Sequence, residues 1–208
     1  MSDIPKYLPL SQRPRRDESG VTGNWAAAAG AVLNRFAGIV ESLTDEQWMS
    51  PSARPDSTVS DATNEAIWLV TSTRLQRLQP GRGAKKLVPL TRARAAIELR
   101  AAAAAALDPA AKRNLGTLSA AVLGTVDVAR SAGLDITIDP LSTGAVALAR
   151  SLSAPLPIRA IVRETSLAAT DADWRIGIGP VRYGTAAAII LFLYGRGPLP
   201  DDPAPATS

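Results

Sequence analysis

Four stretches between residues 24 and 133 carry apolar residues at helical spacing, and prolines and glycines punctuate them. In the first, Asn24 to about Ser42, they fall at Trp25, Ala29, Val32, Phe36 and Ile39–Val40, one face of a 3.6-residue period. Pro51 and Pro55 interrupt the pattern, and Thr58-Val-Ser-Asp61 reopens it as a capping box, in which each side chain satisfies the other residue's backbone N–H. That second helix is expected to reach about Leu78, before the turn Gln79-Pro80-Gly81. A third spans Thr91 to Leu107 and includes the run Ala101–Ala106, alanine being the best helix former. The fourth runs from about Leu115 to Ala132 and ends at Gly133, a residue suited to a left-handed helix end. Four helices with short connections predict a bundle over residues 20–133.

After Gly133 the pattern changes. LDITID reads as a short extended stretch leading into a helix at Pro140–Leu152. Ala160–Ala168 alternates apolar and polar as a half-buried strand does. Asp173–Ile178 is expected to pair with it through the turn Thr170-Asp171-Ala172, and Thr185–Tyr194 is a helix closed by Gly195. Residues 134–197 therefore read as a small α/β unit. Between its last two elements, GIGPVRYG (Gly177–Gly184) reads as a turn, since Pro180 interrupts it and no Lys-Ser/Thr follows as in a phosphate loop. Residues 1–19, with Pro5, Pro9 and Pro14, read as a flexible arm, and 198–208 (PLPDDPAPATS) as a disordered tail. The fold class is mainly α, with no internal repeat.

Composition narrows the chemistry. The 208 residues include no cysteine and no histidine. Thiolate nucleophiles, disulfides and Cys- or His-ligated metals are therefore excluded. A metal site would need oxygen ligands throughout, which suits magnesium or calcium. Lys+Arg 23 against Asp+Glu 19 leaves a formal charge of +4, too weak an excess to argue for nucleic acid. The basic sets Arg13/Arg15/Arg16 and Arg82/Lys85/Lys86 lack interleaved aromatics and read as solvated loops. The N-terminus has no apolar run of a secretory signal. The longest apolar stretch, Ala186–Tyr194, falls well short of the roughly 20 residues a membrane span needs. A cytoplasmic protein without a membrane partner is the expectation.

Three blocks together resemble the actinobacterial mycothiol-dependent maleylpyruvate isomerase family, within the wider DinB-like group. SLTDEQWMSPSARPDSTVSDATNEA (residues 42–66) is similar to the family's Leu-Thr-x-x-x-Trp…Pro-Ser…Cys-Pro-Gly-Trp-Thr-Val-x-Asp…His pattern, matching at Trp48, Pro51, Ser52, Pro55, Thr58, Val59 and Asp61. Arg54, Asp56, Ser57 and Glu65 stand where the family has Cys, Gly, Trp and His. LSAAVLGTVDVARSAGLDITIDP (118–140) is similar to its Glu-x-x-x-His…Asp-Ile run, matching at Asp127, Ala129, Arg130 and Gly133, with Ala120 and Gly124 at the Glu and His positions. AATDADWRIGIGPVRYGTAAAIILFLYGR (168–196) looks like the family's Thr-Asp-x-x-Trp…Gly-x-Gly…Gly-Arg ending, through Thr170, Asp171, Trp174, Gly177, Gly179, Gly184, Gly195 and Arg196. The likeness covers about residues 22–197.

The resemblance implies a DinB-like four-helix bundle with a small C-terminal α/β unit, and, in active members, three bundle ligands holding a divalent metal with mycothiol as thiol cofactor. Carried onto this chain, all three ligand positions fail: Glu65 replaces His, Ala120 replaces Glu, and Gly124 replaces His. A metal-free, non-catalytic relative, a pseudoenzyme acting as a small-molecule-binding or interaction protein, is the resulting expectation. It needs no cofactor, and a homodimer through bundle helices is one form it could take. The alternative is a mycothiol-dependent isomerase or transferase acting on a small acid or thiol conjugate, with Glu65 as candidate catalytic base and Arg196 as carboxylate binder.

Each candidate also has a plain structural reading. Glu65 could be a solvated helix glutamate, and Arg196 a cation complementing a helix C-terminus. Ala120 and Gly124, four apart on one helix face, read as close packing in a filled centre. Glycine costs about 1 kcal/mol against alanine inside a helix, so space is expected to select it. Trp25, Trp48, Trp68 and Trp174 read as core or interdomain residues.

Overall fold

The computed structural model describes residues 24–72, 89–108 and 115–201. The chain is mainly helical, with a small three-stranded sheet towards its C-terminal end. The elements in order are α1 (Ala26–Ser42), α2 (Asp45–Met49), α3 (Val59–Thr71), α4 (Arg92–Leu107), α5 (Leu115–Ser131), α6 (Pro140–Ser153), α7 (Leu156–Glu164), β1 (Ser166–Ala169), β2 (Arg175–Ile176), β3 (Val181–Gly184) and α8 (Ala186–Leu193).

The long helices start where their caps are. Thr58 and Asp61 form the anticipated capping box, and Thr91 accepts from the Arg94 N–H. Helix α3 ends at Thr71, where Ser72 turns extended (ψ 140°), short of the expected end near Leu78; the arm 1–19, the basic sets and most of the tail lie outside the described residues. Helices α1 and α3 each pack on both α4 and α5. The apolar positions read from the sequence, Ala29, Val32 and Phe36, are buried there with Leu99, Leu118 and Val122. Outside the core, Arg100 of α4 reaches Glu41 of α1, whose hydrogen bond first and charge second raise the guanidinium above its ordinary value.

Sequence reading misses α2, although Thr44 and Gln47 form a second capping box that announces it. Two corrections concern the C-terminal unit. Residues 156–164, five of which fall in the expected strand Ala160–Ala168, are helical, and extended backbone begins only at Ser166. The reason is that Ile158, Ile161 and Val162 lie at helical spacing and all join one cluster with Leu167 and Ile189. The segment expected as a turn at Gly177–Gly184 contains β3, which runs parallel to β1 with Leu167 opposite Arg182. Strand β2 pairs antiparallel with β1, Leu167 opposite Ile176, as expected.

Gly177 and Gly179 have φ of +87° and +119°, and a Cβ at Gly177 would lie 2.3 Å from the Thr165 carbonyl oxygen. The β2–β3 connection therefore crosses the end of α7 at a distance only glycine allows. Helix α6 packs on α5 and α8. Val146 of α6 and Ile190 and Leu191 of α8 belong to the same core cluster as the α1–α5 helices. Trp48 is buried, while Trp174 packs on Gly144 and donates from Nε1 to Thr143 Oγ1 at 3.0 Å.

No single helix among the described residues is long and apolar enough to cross a membrane. The pair α6 and α7 passes that test only jointly, across a bend of 113°.

Candidate functional site

Four charged side chains, from a loop, two helices and the turn after α8, meet beside the first turns of α3. The loop is residues 50–58, closed on itself by Val59 N–H donating to Ser50 O and Ser52 N–H donating to Ser57 O. Asp56 takes a left-handed φ of 55° at its tip. This turn holds Arg54 over α3, where its guanidinium donates to Glu65 Oε2. The same Glu65 oxygen lies 3.6 Å from the Arg196 guanidinium. Arg196 in turn donates to Asp127 Oδ2 of α5 at 2.5 Å. The other Asp127 oxygen, Oδ1, accepts from Ala53 N–H at 3.2 Å.

The end of α8 positions Arg196. Gly195 adopts φ +71°, Gly195 N–H donates to Phe192 O and Arg196 N–H to Leu191 O, the back-bonded ending that turns a chain off a helix. Arg150 stacks over Tyr194, 4.4 Å from its ring centre, and donates to Leu193 O. Arg150 thus serves the helix C-terminus, and Arg196 is directed across to α5. Neither sequence reading of Arg196 anticipates this: its principal partner is an internal carboxylate.

Asp127 is completely buried. A carboxylate removed from water needs a counter-charge and hydrogen bonds, and it receives one guanidinium and one backbone N–H. Glu65, by contrast, retains 29% side-chain exposure. The constellation is neutral, two guanidinium groups against two carboxylates, and Glu65 is held from two sides.

The other two positions singled out by the resemblance point to apolar surroundings. A Cβ placed on Gly124 would lie 2.6 Å from the Ala66 Cβ and 2.9 Å from Phe36 Cε1. Ala120, one turn earlier, is half-buried against the core. The space beside Gly124 is filled by Ala66 and Phe36, as the packing reading expects. A three-ligand metal site does not fit: two positions carry no donor atom, and the third carboxylate is occupied by two arginines. Among the described residues no three acidic side chains converge on a cation position.

Among the described residues, cavities are found elsewhere. One, of about 370 Å³, is lined by Val126, Arg130, Asp135, Asp171 and Thr185 among others. The second, of about 430 Å³, lies against Val32, Arg35, Ile138 and Asp139. None of Glu65, Ala120, Gly124 and Arg196 lines either.

The sequence therefore nominates Glu65 and Arg196 and the fold brings them together. It misses the parts played by Asp127 and Arg54. The available signal was paired: Arg54 and Glu65, eleven residues apart, carry opposite charges on the two sides of one short loop. Comparison of the chain with protein-family models, with curated proteins and with solved structures finds no match.

Proposed function

We propose that this chain is a DinB-like bundle protein, a divergent relative of the mycothiol-dependent maleylpyruvate isomerases, that works without a metal centre as a binding or interaction protein. The observation that carries this reading is Glu65. At the position of a metal ligand it is instead the shared partner of Arg54 and Arg196. The packing of Gly124 on Ala66 and Phe36 supports it further, because the space for a metal and its substrate is taken by side chains. The constellation serves as a clamp, fastening the 50–58 loop and the end of α8 to α3 and α5.

One observation favours the enzyme alternative: Glu65 and Arg196 do lie together, and a small acid could compete with Glu65 for the two guanidinium groups. That reading requires Glu65 to leave both arginines before it can act as a base. No catalytic step through a metal or through mycothiol follows from these residues.

Metal analysis by mass spectrometry, after dialysis against zinc, manganese and magnesium, tests the proposal. No retained metal is the expected result, and near-stoichiometric metal would overturn it. Calorimetric titration with maleate and with mycothiol tests the alternative. Saturable binding that is lost in Arg196→Lys but kept in Ser151→Ala would move the assignment to the enzyme.

A further inference from the structure

The cavity of about 370 Å³ lies where the end of α5, the segment that follows it and the first turns of α8 come together. The core fixes its apolar wall. Val126 and Leu191 are 1% and 0% exposed and belong to the main buried cluster, against which Ile136 packs. The chain leaving α5 supplies another part of the wall. Gly133 takes φ +70°, its N–H donates to Arg130 O, and Leu134 N–H donates to Ala129 O. Those two hydrogen bonds set the course of that segment before any ligand arrives. The volume falls within the range of small-molecule sites, about 300–1,000 Å³.

Among the described residues, Arg130, Asp135 and Asp171 are the charged groups that line this space. Asp171 is held in place: its Oδ1 accepts from Ala186 N–H at 2.7 Å. The side chains of Arg130 and Asp135, opposite in charge, make no ion pair or hydrogen bond among the described residues. Opposite charges elsewhere do pair, Arg94 with Glu98 and Arg182 with Asp201. One guanidinium and two carboxylates therefore border an apolar surface with bonding capacity left over. A largely apolar wall with a few polar groups is the composition of a small-molecule site, and the charges select the class of molecule. A guanidinium takes a carboxylate through two parallel hydrogen bonds. Two carboxylates suit an ammonium, which has three N–H groups to donate.

We propose that this cavity binds a small α-amino acid with an apolar side chain. The carboxylate pairs with Arg130, the ammonium with Asp135 and Asp171, and the side chain lies on Val126, Ile136 and Leu191. The site stands apart from the clamp: none of Arg54, Glu65, Asp127 and Arg196 lines it. Retained metal, or maleate bound at Arg196, would overturn the reading of the clamp and leave this inference standing.

Calorimetric titration of the full chain with L-leucine tests it, beside two analogues that each lack one charge, 4-methylpentanoate and 3-methylbutylamine. Leucine is expected to bind saturably, and each analogue at least about tenfold more weakly, having lost a charge-assisted contact. Arg130→Gln and Asp135→Asn are each expected to weaken leucine by at least about tenfold. Both residues are exposed, so both variants are expected to melt with the parent chain. Glu46→Gln, at an exposed carboxylate outside the cavity, is expected to keep the parent affinity. No saturable binding of leucine up to about 10 mM would overturn the proposal, as would binding indifferent to Arg130→Gln and Asp135→Asn. Equal binding of 4-methylpentanoate would overturn the ammonium subsite, and equal binding of 3-methylbutylamine the carboxylate subsite.

Discussion

Replacing Arg196 by alanine isolates the energetics of the clamp. Asp127 would remain completely buried, with Ala53 N–H as its one remaining hydrogen bond from the clamp. Breaking a buried pair by removing one partner costs about 3–5 kcal/mol, because the other charge is stranded. Glu65 would lose its contact with Arg196 but keep Arg54, and a half-exposed pair of that kind is worth about 0–1 kcal/mol. The Asp127 term therefore decides the outcome. At about 2–4 °C per kcal/mol for a chain of this length, the melting temperature falls by roughly 6–20 °C. Urea unfolding followed by circular dichroism measures the loss directly. The control is Asp127→Asn combined with Arg196→Met, which removes both charges while the amide can still accept from Ala53 N–H. That double variant is expected to recover at least about half of the loss. A loss below about 1 kcal/mol for Arg196→Ala would refute the reasoning, since it would mean that Asp127 meets water or another cation.

Three further substitutions probe other parts of the fold. Gly124→Ala gains about 1 kcal/mol of helix propensity but overpacks the centre by about 1–3 kcal/mol. Net destabilisation is expected by urea titration, relieved when Ala66→Gly is added, and a stabilised single variant would show an open centre. Gly177→Ala is expected to destabilise by more than 1 kcal/mol, from its positive φ and the carbonyl oxygen of Thr165, and a calorimetric scan with an unchanged midpoint would contradict the tight crossing. Thr58→Ala removes the first-turn cap of α3 and is expected to cost about 0.5–2 kcal/mol, with hydrogen exchange of the first α3 amides accelerating. Exchange unchanged there would deny the cap its role.

What could be read from the chain alone follows the range of the interactions involved. Thr58–Asp61, Gly133 and Gly195 are local signals, four or fewer residues long, and they place helix ends correctly. The expected strand Ala160–Ala168 is helical over its first five residues because Ile158, Ile161 and Val162 share one helix face that packs on Leu167 and Ile189, a contact the local sequence does not reveal. Strand β3 exists because β1 offers it a parallel edge, which Gly179 and Pro180 in sequence do not reveal. The same division holds at the constellation. Glu65 and Arg196 were nominated by position within a resemblance. Their partners were not, since Asp127 and Arg196 stand 69 residues apart. Arg54 and Glu65 are 11 apart, but across a loop whose closure only the fold supplies.

The link between Asp127 and Arg196 also sets an order of events during synthesis. The helices from α1 to α5 are complete once residue 131 has been made, yet the guanidinium that pairs with Asp127 among the described residues belongs to residue 196. A growing chain that docked α5 early would bury that carboxylate without the guanidinium that pairs with it. Helix docking around α5 is therefore completed late, when α8 arrives carrying Arg196 as its last contribution. A chain ending after Gly133 is therefore expected to melt less cooperatively by circular dichroism than the full chain, and an equally sharp transition would contradict that order.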